Sequence, residues 1–255
     1  MYGIELQVSY NNKISDNHIN DNYIGLMIHL FSSFNIISGN VIRENFDSGL
    51  YLSGGSSNNL IYQNFFRQNR LHVEDYGINN TWNSTIIGNY WDNYTGIDAN
   101  GDGIGDTHHN ISLSPLIQDF LPIVDNAPPE ITILSPSNNS VFRSTAPSFE
   151  IDVNERFLDI MWYTLDDGLH NNTFTKNGTI DQTAWEELSN GQVRLRFYAV
   201  DKVGNIAFEE IIIYKRDSNP NPLPIIILVM VISTVGIISL GVFLLVRKRF
   251  KLQKL

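Results

Sequence analysis

The residues best spaced for chemistry lie in the string IDANGDGIGDT, residues 97–107. Asp98, Asn100, Asp102 and Asp106 stand at relative positions 1, 3, 5 and 9, with Gly103 at 6 and Ile104 at 7. Alternate side-chain oxygens at that spacing can converge on one hard cation, a glycine at the sixth place allows the sharp turn, and the seventh carbonyl adds a ligand. The sequence therefore predicts a Ca2+ loop over 98–109, with Asp98, Asn100, Asp102, Ile104 and Asp106 as ligands. Position 12 is His109 where a bidentate Glu is expected, so Asp92, Asp119 or water must complete the shell. The rival is an ion-free turn, which Asn-Gly and Asp-Gly favour on their own.

Other chemistry is thinner. With no cysteine in 255 residues, disulfides, thiolate metal sites and cysteine nucleophiles are excluded. Copper needs imidazole or soft sulfur. His18, His29, His72, His108, His109 and His170 form no tight cluster except the adjacent pair His108 and His109, whose side chains leave a strand on opposite faces. Met27 and Met161 are the candidate thioethers, and copper is not expected. A polysaccharide lyase or epimerase would need a base and a charge neutraliser in one groove. Asp16, Asp21, Arg43, Glu44, Arg67 and Arg70 could line a face, but nothing pairs them specifically, which weighs against an enzyme.

The elements that must position these residues are repeats. GIELQVSYNNKISDN, GLMIHLFSSFNIISGN and GLYLSGGSSNNLIYQN are successive copies, and NSTIIGN ends a weaker fourth. Asn17, Asn40, Asn64 and Asn89 recur at intervals of 23, 24 and 25, and a second set follows at Asn22, Asn45, Asn69 and Asn93. Of 30 asparagines, 18 fall in the first 100 residues. Alternating apolar residues such as Ile4, Leu6 and Val8 read as short strands with one buried face. A unit that small cannot bury its apolar face alone, so copies must stack. The expected fold is all-β: a right-handed parallel β-helix over residues 1–125, with Asn17, Asn40, Asn64 and Asn89 forming an internal amide ladder. Asn also tolerates the left-handed backbone expected at coil corners. A leucine-rich repeat would need L-x-x-L-x-L spacing, which is absent.

From Ala127 the pattern changes to EITILSP, SFEIDVNE, IMWYTLDD, QVRLRFYAVD and AFEEIIIYKRD. This predicts a small immunoglobulin-like β-sandwich over 127–216, with Trp162, Phe197 and Tyr198 in its core, a helical turn in IDQTAWEELSNG and a structural turn at Asp201–Asn205. A Pro-rich stalk, 217–224, leads to 22 uncharged residues, 225–246, long enough at roughly 33 Å to span a bilayer as one transmembrane α-helix. Five basic residues in the tail, 247–255, would lie inside and the rest outside. No basic n-region or apolar h-region precedes the repeats, so the reading frame is expected to start late, with upstream coils missing. The net charge of −10 argues against nucleic acid as a partner. Asn79, Asn83, Asn93, Asn110, Asn138, Asn171 and Asn177 begin glycosylation sequons.

The Asn-spaced coils followed by NYWDNYTGIDANGDGIGDT resemble the NosD-type β-helix family over about residues 1–125. Its founding members are periplasmic copper-processing accessory proteins for nitrous-oxide reductase. Family members continue with Thr-Pro-Tyr after the last Asp; here Thr107 is followed by His108 and His109. The segment FYAVDKVGN resembles bacterial immunoglobulin-like and fibronectin-like surface modules. The expected function is a single-pass, membrane-anchored surface protein, non-catalytic, binding glycans or neighbouring surface proteins. The alternatives are a lyase- or epimerase-like enzyme and a NosD-type copper accessory.

Overall fold

The computed structural model describes residues 1–113 and 116–217. The apolar runs of the first half are too short and too regularly broken for helices. They form strands β1 (Tyr2–Gln7), β2 (Lys13–Ser15), β3 (His18–Asn20), β4 (Ile24–His29), β5 (Ile36–Ser38), β6 (Val41–Arg43), β7 (Ser48–Leu52), β8 (Leu60–Tyr62), β9 (Phe65–Arg67), β10 (Leu71–Asp75) and β11 (Tyr90–Trp91). These pair only in parallel, in three sheets ordered β1-β4-β7-β10, β2-β5-β8 and β11-β9-β6-β3. The chain is thus a β-solenoid of about four turns.

Register turns the repeat into columns. Leu26 and Leu50 pair, as do Ile28 and Leu52, Ile37 and Ile61, and Ile42 and Phe66, all wholly buried. Each buried aliphatic side chain contributes about 2 kcal/mol, and no turn could bury its column alone. Gly25 sits where a Cβ would come 2.6 Å from the Gly49 carbonyl oxygen, so this column admits only glycine.

The corners correct one expectation. Left-handed backbone falls on the residue before most of the row asparagines: Asn11, Asp16, Asp21, Phe34, Glu44, Asn58, Gln63, Gln68 and Asn79 have φ between 53° and 60°, three of them asparagines themselves, and Gly39 has 71°. The following Asn17, Asn22, Asn35, Asn45, Asn59, Asn64, Asn69 and Asn40 do not. Left-handed backbone costs a non-glycine residue about 1 kcal/mol, and the hydrogen bonds of the next residue offset it.

The solenoid ends in an antiparallel hairpin, β12 (His109–Leu113) and β13 (Leu116–Asp119). Beyond it, β14 (Glu130–Ser135), β16 (Ser148–Asn154) and β19 (Gly178–Thr179) make one sheet. β15 (Val141–Phe142), β17 (Leu158–Thr164), β18 (Asn172–Phe174), β20 (Gly191–Asp201) and β21 (Ile206–Lys215) make another. A short helix, α1 (Gln182–Glu187), is N-capped by the Asp181 carboxylate, which accepts from the Ala184 N–H. Phe149, Tyr163, Trp185, Leu195 and Phe197 fill the core. Of the three aromatics expected there, only Phe197 is wholly buried. Trp162 and Tyr198 are register partners on the outer face, stacked 5.0 Å apart with rings 2° from parallel. Alternation along β17 sends Tyr163 inward instead.

The two halves touch. Val41 and Phe65 point out of the solenoid yet are buried, because Phe157 and Val203 pack on them. The Phe65 and Phe157 rings lie 5.2 Å apart. No helix among the described residues is long and apolar enough to cross a membrane. The span expected at 225–246 and the tail at 247–255 lie outside the described residues.

Candidate functional site

Three rows of asparagine run through the solenoid. Asn17 donates from its backbone N–H and Nδ2 to Asn40 Oδ1, Asn40 does the same to Asn64, and Asn64 to Asn89, at 2.9–3.2 Å. A row not evident from the repeat, Asn12, Asn35, Asn59 and Asn80, is wired identically. The third joins Asn22, Asn45 and Asn69. Asn40, Asn64 and Asn89 are wholly buried, and a buried amide left unpaired would cost about 1–3 kcal/mol. All three rows point the same way, each turn donating to the next.

Each row ends on a group that accepts. Asp119 Oδ2 takes the Asn89 N–H and Nδ2 and the Trp91 Nε1–H. Asp75 Oδ1 takes Asn80 Nδ2, and its Oδ2 takes Trp82 Nε1. An ionised carboxylate has no donor to strand, which suits it to the last place. Burial pushes the Asp119 carboxyl above its usual range, against the four hydrogen bonds it accepts.

The third row ends at an imidazole. Asn69 Nδ2 lies 3.4 Å from His72 Nδ1 and donates to it, because Asn69 Oδ1 is already taken by Asn45. This network assigns the His72 proton to Nε2, which points at Asp92 Oδ1, 2.7 Å away. His72 lines a cavity of ≈330 Å3 with Asn69, Trp91, Asp92, His109 and Ile111. Phe66 stacks on Trp91 at 4.6 Å, and so does His109, also at 4.6 Å. Burial, then the neighbouring His72, pushes His109 down to about 4. His72 is also lowered, by burial working against Asp92. Both shifts favour the uncharged imidazole, and among the described residues neither ring nitrogen of His109 has a hydrogen-bond partner. Neutral imidazole with a free lone pair is a ligand for copper, nickel or zinc, so the donor chemistry fits copper. His72, Asp92 and His109 do not bring three ligand atoms within 4.8 Å of one another; the described trio that does is Asp125, Glu155 and Asp201.

That carboxylate trio spans the joint between the halves. Asp125 is raised to about 6, by burial first and then by Glu155 and Asp201, and its Oδ2 is buried without a partner. Sequence spacing could not have found it, because the three positions lie in three separate loops or strand ends.

In the 98–106 loop the carboxylates face backbone donors. Asp98 accepts from the N–H groups of Gly101, Asp102 and Gly103, Asp102 Oδ1 from Ile104, and Asp106 Oδ2 from Ala99. Asn100 Nδ2 reaches Asp102 Oδ2 at 3.0 Å. Gly101 and Gly103 have φ of 74° and 82°, which the turn requires. His108 and His109 do diverge: His108 packs on Phe120, away from the cavity. Met27 lies in the outward row with Glu5 and Tyr51, and Met161 packs on the second core.

The corner charges form no shared groove. Asp16 pairs with Lys202 at 3.1 Å, Arg67 Nη1 reaches the Lys202 carbonyl, Arg43 pairs with Glu44 and Arg70 with Asp47. Of the sequon residues, Asn79, Asn93, Asn110, Asn138, Asn171 and Asn177 are exposed and Asn83 is half-buried.

A family model described as periplasmic copper-binding protein (NosD) matches residues 1–96. A probable ABC transporter binding protein NosD of Pseudomonas aeruginosa is 36% identical over 84 residues, 32% of this chain and 19% of that protein. A protein of the same description from Stutzerimonas stutzeri is 38% identical over 85 residues, again 32% and 19%. The chain spans about a fifth of the length of these curated relatives. No solved structure matches it. These findings correct the placement expected from the sequence. The matched description is of a periplasmic protein, and no described helix supports a single-pass anchor in the cell membrane. They also bear against setting copper aside. His72 and His109 are 37 residues apart, and only the stacking of turns brings them to one cavity.

Proposed function

We propose that this chain is a non-catalytic accessory protein of NosD type that takes copper as cargo at the closing end of its solenoid. The observation that carries this reading is the pair of uncharged imidazoles, His72 and His109, facing one cavity. His109 would bind through a free ring nitrogen. His72 would bind at Nε2 in its other tautomer, with the ring proton at Nδ1 and Asn69 Nδ2 no longer donating to it, and Asp92, whose Oδ1 lies 2.7 Å from Nε2, would stand beside the ion as an oxygen ligand. Trp91 holds the His109 ring flat between turns, so the ligand plane is set by the core. The second half, residues 127–216, would act as an immunoglobulin-like spacer holding the solenoid at a fixed angle. The ion pairs and covered positions of the corner charges favour this reading over a polysaccharide enzyme.

Competition for Cu(I) against a chromophoric chelator tests it. One equivalent should be retained by the chain, and at least ten times less tightly by His109→Phe, which keeps the stack on Trp91. Equal retention by the variant, or no retention by the chain, would overturn the reading.

A further inference from the structure

One flank of the solenoid carries almost no charge. Residues 30–42, 48–66 and 76–91 hold no Asp, Glu, Lys, Arg or His, in a chain of which 17% is charged. Stacking brings these stretches together along the sheet β2-β5-β8 and the corner leading into it. Only Lys13, in β2, brings a charge to this sheet. On the second turn the corner is apolar. Leu30, Phe31 and Phe34 are 44%, 66% and 58% exposed, on backbone with φ of 50°, 66° and 58°. Bulky side chains rarely take that backbone, and these three are held in it facing solvent. Ile36 and Ile78 are exposed on the same flank.

The next turn repeats this corner in negative. Ile28 pairs with Leu52 and Ser33 with Ser57, so at the same offset Leu30, Phe31 and Phe34 stand beside Gly54, Gly55 and Asn58. The Phe31 ring lies across Gly55, where an added Cβ would come within 2.7 Å of it. A Cβ at Gly54 would meet only the Tyr76 carbonyl oxygen, at 3.8 Å. A ridge of bulky side chains therefore stands next to a hollow. We infer that this flank is the contact surface for a second copy of the chain, related by a two-fold axis, with the ridge of each copy seated in the hollow at Gly54 of the other. A two-fold contact needs a self-complementary surface, and a ridge beside a hollow is one. Charge points to the same partner. At −10 overall two copies repel, and an uncharged flank lets them meet without opposing like charges. Depletion of charge with exposed aromatic side chains is also the composition of an interface core. The ridge lies on the second turn, with turns stacked on both sides of it. None of these residues lines the cavity of His72 and His109, so the contact is independent of copper binding.

Sedimentation equilibrium of the full chain should give twice the chain mass at micromolar concentration. Phe34→Asp tolerates the left-handed backbone and sets a carboxylate on each ridge, and it should weaken pairing about tenfold or more. Gly54→Trp, which fills the hollow, should do the same. Both sites are exposed, so the circular dichroism of each variant should match that of the parent chain. The chain has no cysteine, so a Phe34→Cys chain mixed with a Gly54→Cys chain should give a disulfide-linked heterodimer under mild oxidation. Phe34→Cys mixed with Arg70→Cys, on the charged side, should not. A single-chain mass, pairing that survives both substitutions, or a monomer whose Phe34 is covered by zwitterionic vesicles or a neutral glycan would overturn the inference.

Discussion

In the solenoid, Asn40 and Asn64 are wholly buried, and their amides are satisfied by neighbouring turns and nearby carbonyls. In the two-sheet half, that place is taken by Phe149, Tyr163, Trp185 and Phe197, and the buried ammonium of Lys215 is held by the carbonyls of Trp185, Glu186 and Leu188. One half spends its interior on a repeated polar wire sheathed in aliphatic columns; the other builds an aromatic core once. The first arrangement is directional and extends by repetition. The second is closed, and its energetics rest on area and packing.

Breaking the wire in its middle should have the largest effect. Asn64→Leu removes the acceptor for Asn40 and the donors to Ile37, Tyr62 and Asn89, leaving several buried groups unpaired. A loss of about 4 kcal/mol is expected, read by urea denaturation with a tryptophan signal. Asn64→Asp should lose less, because Oδ1 still accepts. In the aromatic half, Trp185→Ala should cost about 3 kcal/mol through the cavity it leaves. Lys215→Met, which keeps volume but uncaps α1, should cost about 2 kcal/mol. If Asn64→Leu proved as mild as a surface change, the contrast between the halves would fail.

The smallest effects are in pH, and the closing cavity and the joint between the halves carry opposite signs. His109 is lowered to about 4, so the folded state binds fewer protons than the unfolded one between about 4 and 6.5. Stability from this group is present above pH 6.5 and is lost as pH falls. Asp125 is raised to about 6, so its contribution is present below about pH 4 and is lost as pH rises through 6. Both groups are partly exposed, and each effect should be about 1 kcal/mol after solvent screening. Asp125→Asn should raise stability at pH 8 and leave it unchanged at pH 4, whereas His109→Phe should raise it at pH 4.5. Thermal denaturation across pH 4–8 separates them; identical profiles for both variants would contradict the assignments.

The solenoid is legible in the sequence because register repeats: Gly3, Gly25 and Gly49, or Ile14, Ile37 and Ile61, occupy one place in successive turns, and parallel stacking does the rest. What periodicity could not carry is what breaks it. The left-handed corner residue varies from Asp to Phe to Gln, so its type gives no signal. Asp75 ends one ladder from the register place that Ile28 and Leu52 fill in earlier turns, Asp119 ends another from the hairpin, and His72 meets His109 only through three-dimensional stacking. In the two-sheet half, strand alternation marks two faces without saying which is inner, so Trp162 reads as core while Tyr163 fills that role. The closing cavity was hidden because its members come from β10, β11 and β12, elements with unequal spacing.

Nitrogen-15 NMR of histidine-labelled chain, titrated with one equivalent of Cu(I) under anaerobic conditions, tests the central claim most directly. Of the six imidazoles, the ring nitrogens of His72 and His109 should shift together and saturate at one equivalent, while those of His108 and His170 stay in place. Shifts confined to His108, His170 or His18, or six unchanged imidazoles, would contradict a copper site at the closing end of the solenoid.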